Sequence, residues 1–347
     1  MKILFVGDFF YDFETINQDI LSLGDYIRKN GFIVCLNLEA PVQTNDVLDK
    51  WVNLYNNKET LSTVLDILNV KFVNLSNNHI FDFGISGYRD LVDILDEKGI
   101  IYFGAGESHK EATLPKYFSY QQYKFGFISF GSSQEGCLAS IDGFGTSIIS
   151  EDTECNIKIA KEKCDFLIVS LHWGFEFELY PEPVNRKRAQ KYIDAGADLI
   201  VGHHPHVPQP KEVFKGNSIY YSLGNFYFGS RRNWFYEYCR FDNAKTHSHL
   251  GLGIILDLDS LTTTEIEVEY DRDRNVTSFL EKKEIENLSG YSLKQYNELY
   301  RRLYSKRYPA LYTYESSYVE YYMVKFKLFL FNSMLKIKGR LKSYLSI

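Results

Sequence analysis

The histidines of this chain are concentrated in a few short motifs. The sequence holds eight histidines, and five of them stand in three motifs, at His79, at His172 and within the HHPH segment 203–206. Neutral imidazoles bind Zn, Fe, Mn or Ni, whereas carboxylates and amide oxygens suit harder divalent cations. Such a mixture of donors predicts metal-assisted hydrolysis, in which two ions activate a water. The candidate metal ligands are Asp8, Glu39, Asn78, His172, His204 and His206.

Each motif, taken alone, has a simpler explanation. Asp8 could cap a helix, Asn78 could belong to a turn, and His172 could be a buried core residue. The HHPH segment also permits two alignments, in which either His203 or His204 binds metal. Their joint occurrence, each directly after an apolar run, favours the metal site.

Those apolar runs predict the strands that position the motifs. Continuous rather than alternating apolarity indicates strands covered on both faces. In open α/β sheets, ligands bind beyond the carboxyl ends of the strands, so we expect the motifs to converge on one pocket. The runs are 2–7, 32–38, 71–76, 100–105, 124–130, 165–171 and 197–202.

Helix-like stretches lie between many of these runs, and the alternation favours a layered α/β fold. The predicted helices are 47–69, with a break at Asn57, and 86–99 and 185–196, which both end on glycine. Later strand-like segments predict a hairpin and a second sheet packed on the first. They are 219–228, 250–259 and 262–271, followed by a mostly helical or irregular stretch at 284–347.

The composition of the chain limits the classes of binding partner and the cellular compartment that we expect for it. The net charge of −6 argues against a nucleic-acid partner, which would call for a basic excess. Five cysteines without a CxxC spacing argue against a disulfide framework and favour a reducing compartment. The start, MKILFVGD, has no signal-peptide pattern, so we expect a cytoplasmic protein.

The C-terminal segment 321–347 has a different character. It holds six Lys or Arg residues and no acidic residue, mixed with bulky apolar side chains. This pattern suits a helix lying on an anionic membrane surface, here the inner face of the membrane. A helix packed on the acidic body of the protein is the alternative.

Seven motifs in one order carry a family resemblance. They are VGD (6–8), NLEAPV (37–42), LSNNHIFDFG (75–84), GAG (104–106), SLHWGFEFE (170–178), AGADLIVGHHPHVPQ (195–209) and YSLGNFYF (221–228). With these motifs the chain resembles the CapA family of poly-gamma-glutamate capsule synthesis proteins, within the calcineurin-like metallophosphoesterases. The resemblance covers roughly residues 2–258.

The resemblance implies a fold and a cofactor. The expected fold class is α/β, a calcineurin-like four-layer αββα sandwich over 1–275. A C-terminal helical and basic amphipathic extension would follow over 276–347. Two divalent ions, Mn, Fe or Zn, would be held by the candidate ligands, with Glu39 as a bridge.

The resemblance also implies roles around the ions. His79 would be the general acid, oriented by Asp82, and Glu176 would stand at the mouth of the site. The wider group usually opens with Asp-x-His, but here Phe9 and Phe10 follow Asp8, and its second motif usually supplies Asp where Glu39 stands here. One metal shell would then be poorer, with one ion or weak occupancy as the alternative to two ions.

Substrate contacts are expected from three further residues, Asn225, His203 and Arg231. Asn225 follows a strand and would position the substrate, unless it only forms a turn. Arg231 and the neighbouring Arg232 could hold a phosphate or carboxylate, or form a solvated loop. The expected substrate is a phosphoester or a polyanionic polymer.

Three functions fit these residues. The first is a metal-dependent hydrolase linked to capsule or surface-polymer synthesis. The second is a non-catalytic accessory or polymer-binding component of a capsule synthesis or export complex. The third is a metal-free acid–base hydrolase using Glu39, His79 and His172.

Overall fold

The computed structural model describes residues 1–50, 52–140, 143–231, 249–271, 276–281 and 285–304. The chain divides into two compact units, Met1–Gly290 and Tyr291–Ile347. The site lies in the first unit. The basic segment 321–347 lies outside the described residues, so its contact with a membrane stays a prediction.

The first sheet has eight strands in the order β16-β15-β14-β1-β2-β3-β4, and β13 also pairs with β1. Strands β1 to β4 are parallel, whereas β14 to β16 join them in antiparallel pairs. The strands are β1 (Lys2–Phe10), β2 (Phe32–Leu38), β3 (Val70–Asn74), β4 (Ile101–Phe103), β13 (Asn225–Phe228), β14 (Leu250–Asp257), β15 (Thr262–Asp271) and β16 (Val276–Leu280).

The second sheet has six strands in the order β11-β12-β10-β9-β7-β6. Its four inner strands are parallel and its two edges are antiparallel. The strands are β6 (Lys116–Tyr120), β7 (Tyr123–Gly131), β9 (Phe166–His172), β10 (Leu199–His203), β11 (Lys211–Phe214) and β12 (Asn217–Tyr220); β5 (Ala105–Gly106) and β8 (Gly145–Thr146) form a separate pair.

Helices cover the outer faces of both sheets. Helices α1 to α3 pack on the first sheet, and α5 and α6 pack on the second. The helices of the first unit are α1 (Gln18–Lys29), α2 (Lys58–Ile67), α3 (Gly84–Glu97), α4 (His109–Ala112), α5 (Thr153–Lys161) and α6 (Pro183–Asp194). In the second unit, α7 (Leu293–Tyr304) places three tyrosines at helical spacing along one side.

Alternate side chains of β1 explain the four layers. Leu4 and Val6 pack in the core shared with the first group of helices. Ile3 and Phe5 point the other way and pack in the core between the two sheets. Both faces of the strand are therefore buried, as the continuous apolar run predicts. This arrangement confirms the αββα sandwich.

The predicted strand 219–228 is two strands in two different sheets. β12 belongs to the second sheet and β13 to the first, and residues 221–224 cross between them. The crossing needs glycine at two contacts, because a Cβ on Gly7 would lie 1.8 Å from the Gly224 oxygen and one on Gly202 would lie 1.9 Å from the Tyr221 oxygen. Gly224 itself has a φ of +67°.

The predicted helix over 47–69 is wrong in its first half. Only α2 is helical, and Asn57 caps it by accepting from the amides of Glu59 and Thr60. Before it, the side chain of Asn56 accepts from the Tyr11 amide at 2.7 Å, and its own amide donates to the Ala40 carbonyl at 2.6 Å. These contacts tie the chain to strand ends and leave it extended.

The predicted hairpin 250–259/262–271 is confirmed as β14 and β15. It extends the first sheet through the pair of β14 with β1. The second sheet is built instead from the strands between Lys116 and Tyr220.

Candidate metal centre

Strand register sets two rows of side chains beside each other. Across the first sheet, Asp8 pairs with Asn225 on one side and with Asn37 on the other. Across the second sheet, His172 pairs with His203. The carboxyl ends of both sheets thus present their polar residues at one edge, as the motif positions predict.

Asp8 is surrounded by donors. Its Oδ1 accepts from the side-chain amide of Asn37 at 2.8 Å, and its Oδ2 accepts from the backbone amide of His204 at 3.2 Å. The Nδ1 atoms of His203 and His206 lie 3.5 and 3.3 Å from its two oxygens. Asp8 is fully buried, so these contacts replace the water that its charge would otherwise hold.

Glu39 is equally buried but has no such donors. Neither of its carboxylate oxygens has a hydrogen-bond partner among the described residues. The Nε2 atoms of His172 and His206 both lie 3.9 Å from its Oε1, beyond hydrogen-bond distance. One ligand atom each of Glu39, His204 and His206 lie within 4.8 Å of one another.

A divalent ion fits this arrangement. Two ligands that each lie about 2.1 Å from one ion are separated by roughly 3.0 to 3.4 Å. The separations of His172 from the Asn78 Oδ1 (2.9 Å) and from Glu39 (3.9 Å) are close to those values. A buried carboxylate without a partner is costly, and a cation between Glu39 and the imidazoles would remove that cost.

The two carboxylates have opposite electrostatics. Burial opposes ionisation of Asp8, but the contacts with His203 and His206 outweigh it and hold its pKa well below the usual value. Burial and the charge of Asp8 raise the pKa of Glu39 well above the usual value.

The imidazoles differ in the same way. Burial and the neighbouring His204 lower the pKa of His172, which keeps it in the neutral form that binds metals. Burial also opposes the charged form of His206, but Glu39 and Asp8 prevail and raise its pKa to about 10.

The HHPH turn has a strained backbone. His204 has a φ of +95° and His206 a φ of +58°, values that residues other than glycine rarely adopt. One ring nitrogen of His204 and one of His206 lie near Glu39, while His203 belongs to β10 and faces Asp8. Of the two alignments, the structure therefore groups His204 rather than His203 with Glu39 and His206.

His79 lies at the exposed side of this cluster, with its side chain 12% exposed. Its Nδ1 is 2.6 Å from the Oδ2 of Asp82. Asp82 is held in turn by the Leu54 amide at 2.8 Å and by an ion pair with Lys50. Burial lowers the pKa of His79, although Asp82 opposes that shift.

The remaining predicted residues lie in different surroundings. Asn225 touches the cluster, with its Oδ1 2.9 Å from the Nδ1 of His206. Glu176 is exposed, on the loop after β9, yet close enough for its charge to act on Glu39. No described contact links Arg231 to the histidines, and Arg232 lies outside the described residues.

Three residues at the site have no counterpart in the sequence predictions. Asn37 interrupts the apolar run of β2 and donates to Asp8. Lys50 lies in the segment wrongly predicted as helix. Glu135 follows β7 and lies 3.6 Å from the Nε2 of His204. A polar residue inside a buried run, and an acid shortly after one, are signals that could have identified Asn37 and Glu135.

Comparison with known proteins places the chain in a family. Residues 3–230 match the family described as "Bacterial capsule synthesis protein PGA_cap". The match covers the whole second sheet, the strands of the first sheet that precede β14, and every residue of the metal centre described above. The chain belongs to this family of bacterial capsule synthesis proteins, which confirms the resemblance seen in the motifs.

Curated relatives come from several bacteria. The PGA biosynthesis protein CapA of Bacillus subtilis is 37% identical over 61% of this chain and 55% of that protein. The capsule biosynthesis protein CapA of Bacillus anthracis is 34% identical over 58% of this chain and 51% of that protein. The chain therefore spans about half the length of these relatives.

Solved structures of similar fold include a novel phosphatase from Mycoplasma pneumoniae, with a TM-score of 0.48, 15% identity and coverage of 79% of this chain and 95% of that one. A putative 5'-nucleotidase from Staphylococcus aureus has a TM-score of 0.46 and 15% identity, and the match covers 89% of this chain and 59% of that one.

Within the described residues of the present chain, no helix combines the length and apolarity that spanning a membrane requires.

Proposed function

We propose that this protein is a metal-dependent hydrolase that acts on a phosphoester or a polyanionic polymer during capsule or surface-polymer synthesis. The observation that carries the proposal is the buried carboxylate of Glu39, which has imidazoles on two sides and no described hydrogen-bond partner. Family membership supports the biological setting.

The residues fall into two sets of ligands that share Glu39. Asp8 and His206 stand on one side, and Asn78, His172 and His204 on the other. Divalent ions bound there would supply Lewis acidity, which lowers the pKa of water and offsets charge developing on the substrate. Mn, Fe and Zn all suit this mixture of oxygen and nitrogen donors.

His79 is suited to move a proton. Its contact with Asp82 fixes Nδ1, which leaves Nε2 as the nitrogen that can donate to a leaving group. Lys50 and the Leu54 amide hold Asp82 in place. The histidine is thereby oriented by a buried carboxylate, as general acids commonly are.

A cavity lined by Asn78 and Asp82 offers room for the leaving group. Its volume is about 350 Å³, and its walls include Asn78 and Asp82 together with the apolar side chains of Leu48, Phe81 and Leu138. A group that leaves on the Asn78 side of the site would enter this space. The apolar walls favour a leaving group that carries aliphatic or aromatic carbon.

Hydrolysis is tested with protein stripped by a chelator and reloaded with Mn²⁺ or Zn²⁺. Aryl phosphate mono- and diesters and a γ-glutamyl anilide serve as substrates. We expect metal-dependent turnover, and a kcat roughly 10² to 10⁴ lower for His79→Asn, with unchanged metal content. His109→Asn, on α4, is the matched control and should behave as wild type. A metal-loaded wild type that is inert on every substrate refutes the proposal.

A second function is supported by one relative. A Mycobacterium tuberculosis protein, 30% identical over 55% of this chain, is named a probable polyglutamine synthesis accessory protein. The alternative proposal is that the pocket binds polymer without cleaving it. Fluorescence anisotropy with labelled poly-γ-glutamate separates the two, because an accessory protein would bind the polymer and leave its length unchanged over hours.

A further inference from the structure

An acid outside the predicted ligand set, with its side chain mostly buried, lies against the metal centre. Glu135 ends a short 3₁₀ turn, Ser133–Glu135, that follows β7. Its side chain is 8% exposed, and its Oε2 lies 3.6 Å from the Nε2 of His204. This distance is beyond a hydrogen bond but close to the separation of two ligands on one ion.

The turn that carries Glu135 is anchored to the site. The amide of Ser132 donates to the carbonyl of His172 at 2.8 Å, and Gly131 pairs with His172 across the sheet. Within the turn, the Glu135 amide donates to the Ser132 carbonyl at 3.1 Å. Glu135 is thus fixed to the strand end that also holds His172, rather than carried by a free loop.

Neighbouring atoms indicate a cation at this place. Both oxygens of Glu39 are buried without a described hydrogen-bond partner. The rings of His172 and His204 lie 4.8 Å apart. A buried carboxylate without a hydrogen-bond partner, such as that of Glu39, is costly unless a positive charge compensates it.

We propose that Glu135 is a ligand of the divalent ion held by Asn78, His172 and His204. The inference rests on the metal site of the proposed function and adds a carboxylate to one side of it. That side then has five protein donors: Glu39, Asn78, His172, His204 and Glu135. The side of Asp8 and His206 gains none, so the two ions are held with unequal affinity.

Isothermal titration of the chelator-stripped full chain with Mn²⁺ tests this assignment without measuring hydrolysis. We expect Glu135→Gln to raise the Kd of the tighter site by about 10- to 100-fold. Glu151→Gln, which removes the same charge from an exposed position, should titrate as wild type. Absorption of the Co²⁺-loaded protein should also change for Glu135→Gln and not for Glu151→Gln.

An unchanged Kd and an unchanged Co²⁺ spectrum in Glu135→Gln would overturn the assignment. A lower melting temperature in chelator with an unchanged Kd would make Glu135 only an ion-pair partner of His204, which also overturns it. If Glu135→Gln does not fold, Glu135→Met, of similar length and without an oxygen donor, replaces it. Wild type that binds Mn²⁺ but hydrolyses nothing refutes the proposed function and leaves this assignment standing.

Discussion

Asp8 and Glu39 are both fully buried, lie at the ends of adjacent strands, and differ in almost every contact. The Asp8 carboxylate accepts hydrogen bonds from the side-chain amide of Asn37 and the backbone amide of His204, and the imidazoles of His203 and His206 face it. Glu39 receives no described hydrogen bond. Their pKa values shift in opposite directions. Burial alone therefore does not determine what a carboxylate contributes: Asp8 is stabilised by donors within the protein, whereas Glu39 has no such donor among the described residues.

The largest expected effect that distinguishes the two is on metal affinity. Glu39→Gln should weaken Mn²⁺ or Zn²⁺ binding on the order of 10³-fold, since it removes the carboxylate shared by both sets of ligands. Asp8→Asn should weaken binding less, by about tenfold. Isothermal titration of chelator-stripped protein measures both. Equal losses in the two variants would remove the distinction.

Without metal, substituting the two carboxylates should change the free energy of unfolding in opposite directions. In chelator at neutral pH, Asp8→Asn should lower the free energy of unfolding by about 2 to 3 kcal/mol, because donors around Asp8 lose their acceptor. Glu39→Gln should raise it by about 1 kcal/mol, because the variant no longer buries a carboxyl group that has no hydrogen-bond partner among the described residues. Urea titrations of both variants check the signs, and a destabilised Glu39→Gln would contradict the comparison.

A third buried carboxylate, Glu182, should give a smaller and pH-dependent effect. It accepts from the Phe175 amide and from Asn185, and burial raises its pKa from 4.5 to about 7. The folded protein then holds a proton that the unfolded chain has already released, so stability falls as pH rises from about 4.5 to 7.

Relative to Glu182→Gln, wild type should lose roughly 2 kcal/mol of unfolding free energy between pH 5 and pH 8. Urea titrations at both pH values in chelator measure it, with Glu151→Gln as the control for a general charge effect. A difference that is constant with pH would show that burial does not hold the proton on Glu182.

The strand ends could be predicted because burial on both faces makes apolar runs continuous, and parallel strands bring their carboxyl ends together. These two rules are sufficient to predict the positions of Asp8, Glu39, His172 and the HHPH segment from the sequence. The position of Lys50 could not be predicted, because residues 47–56 have helical spacing in the sequence. In the structure, the side chain of Asn56 instead bonds the backbone of Tyr11 and Ala40, and the segment is not helical. The position of Glu135 could not be predicted either, since its proximity to His204 depends on β7 lying beside β9.

The crossing segment 221–224 has a consequence for assembly of the site. It donates from Leu223 to the Gly202 carbonyl and accepts at Gly224 from the Asp8 amide, so one short stretch is tied to both sheets. Asp8, near the start of the chain, and Gly202, well past its middle, must both be in place before these hydrogen bonds form. These two hydrogen bonds fix one strand of each sheet relative to the other beside the site, and an N-terminal fragment ending before Gly224 would carry all the candidate ligands without both of these bonds.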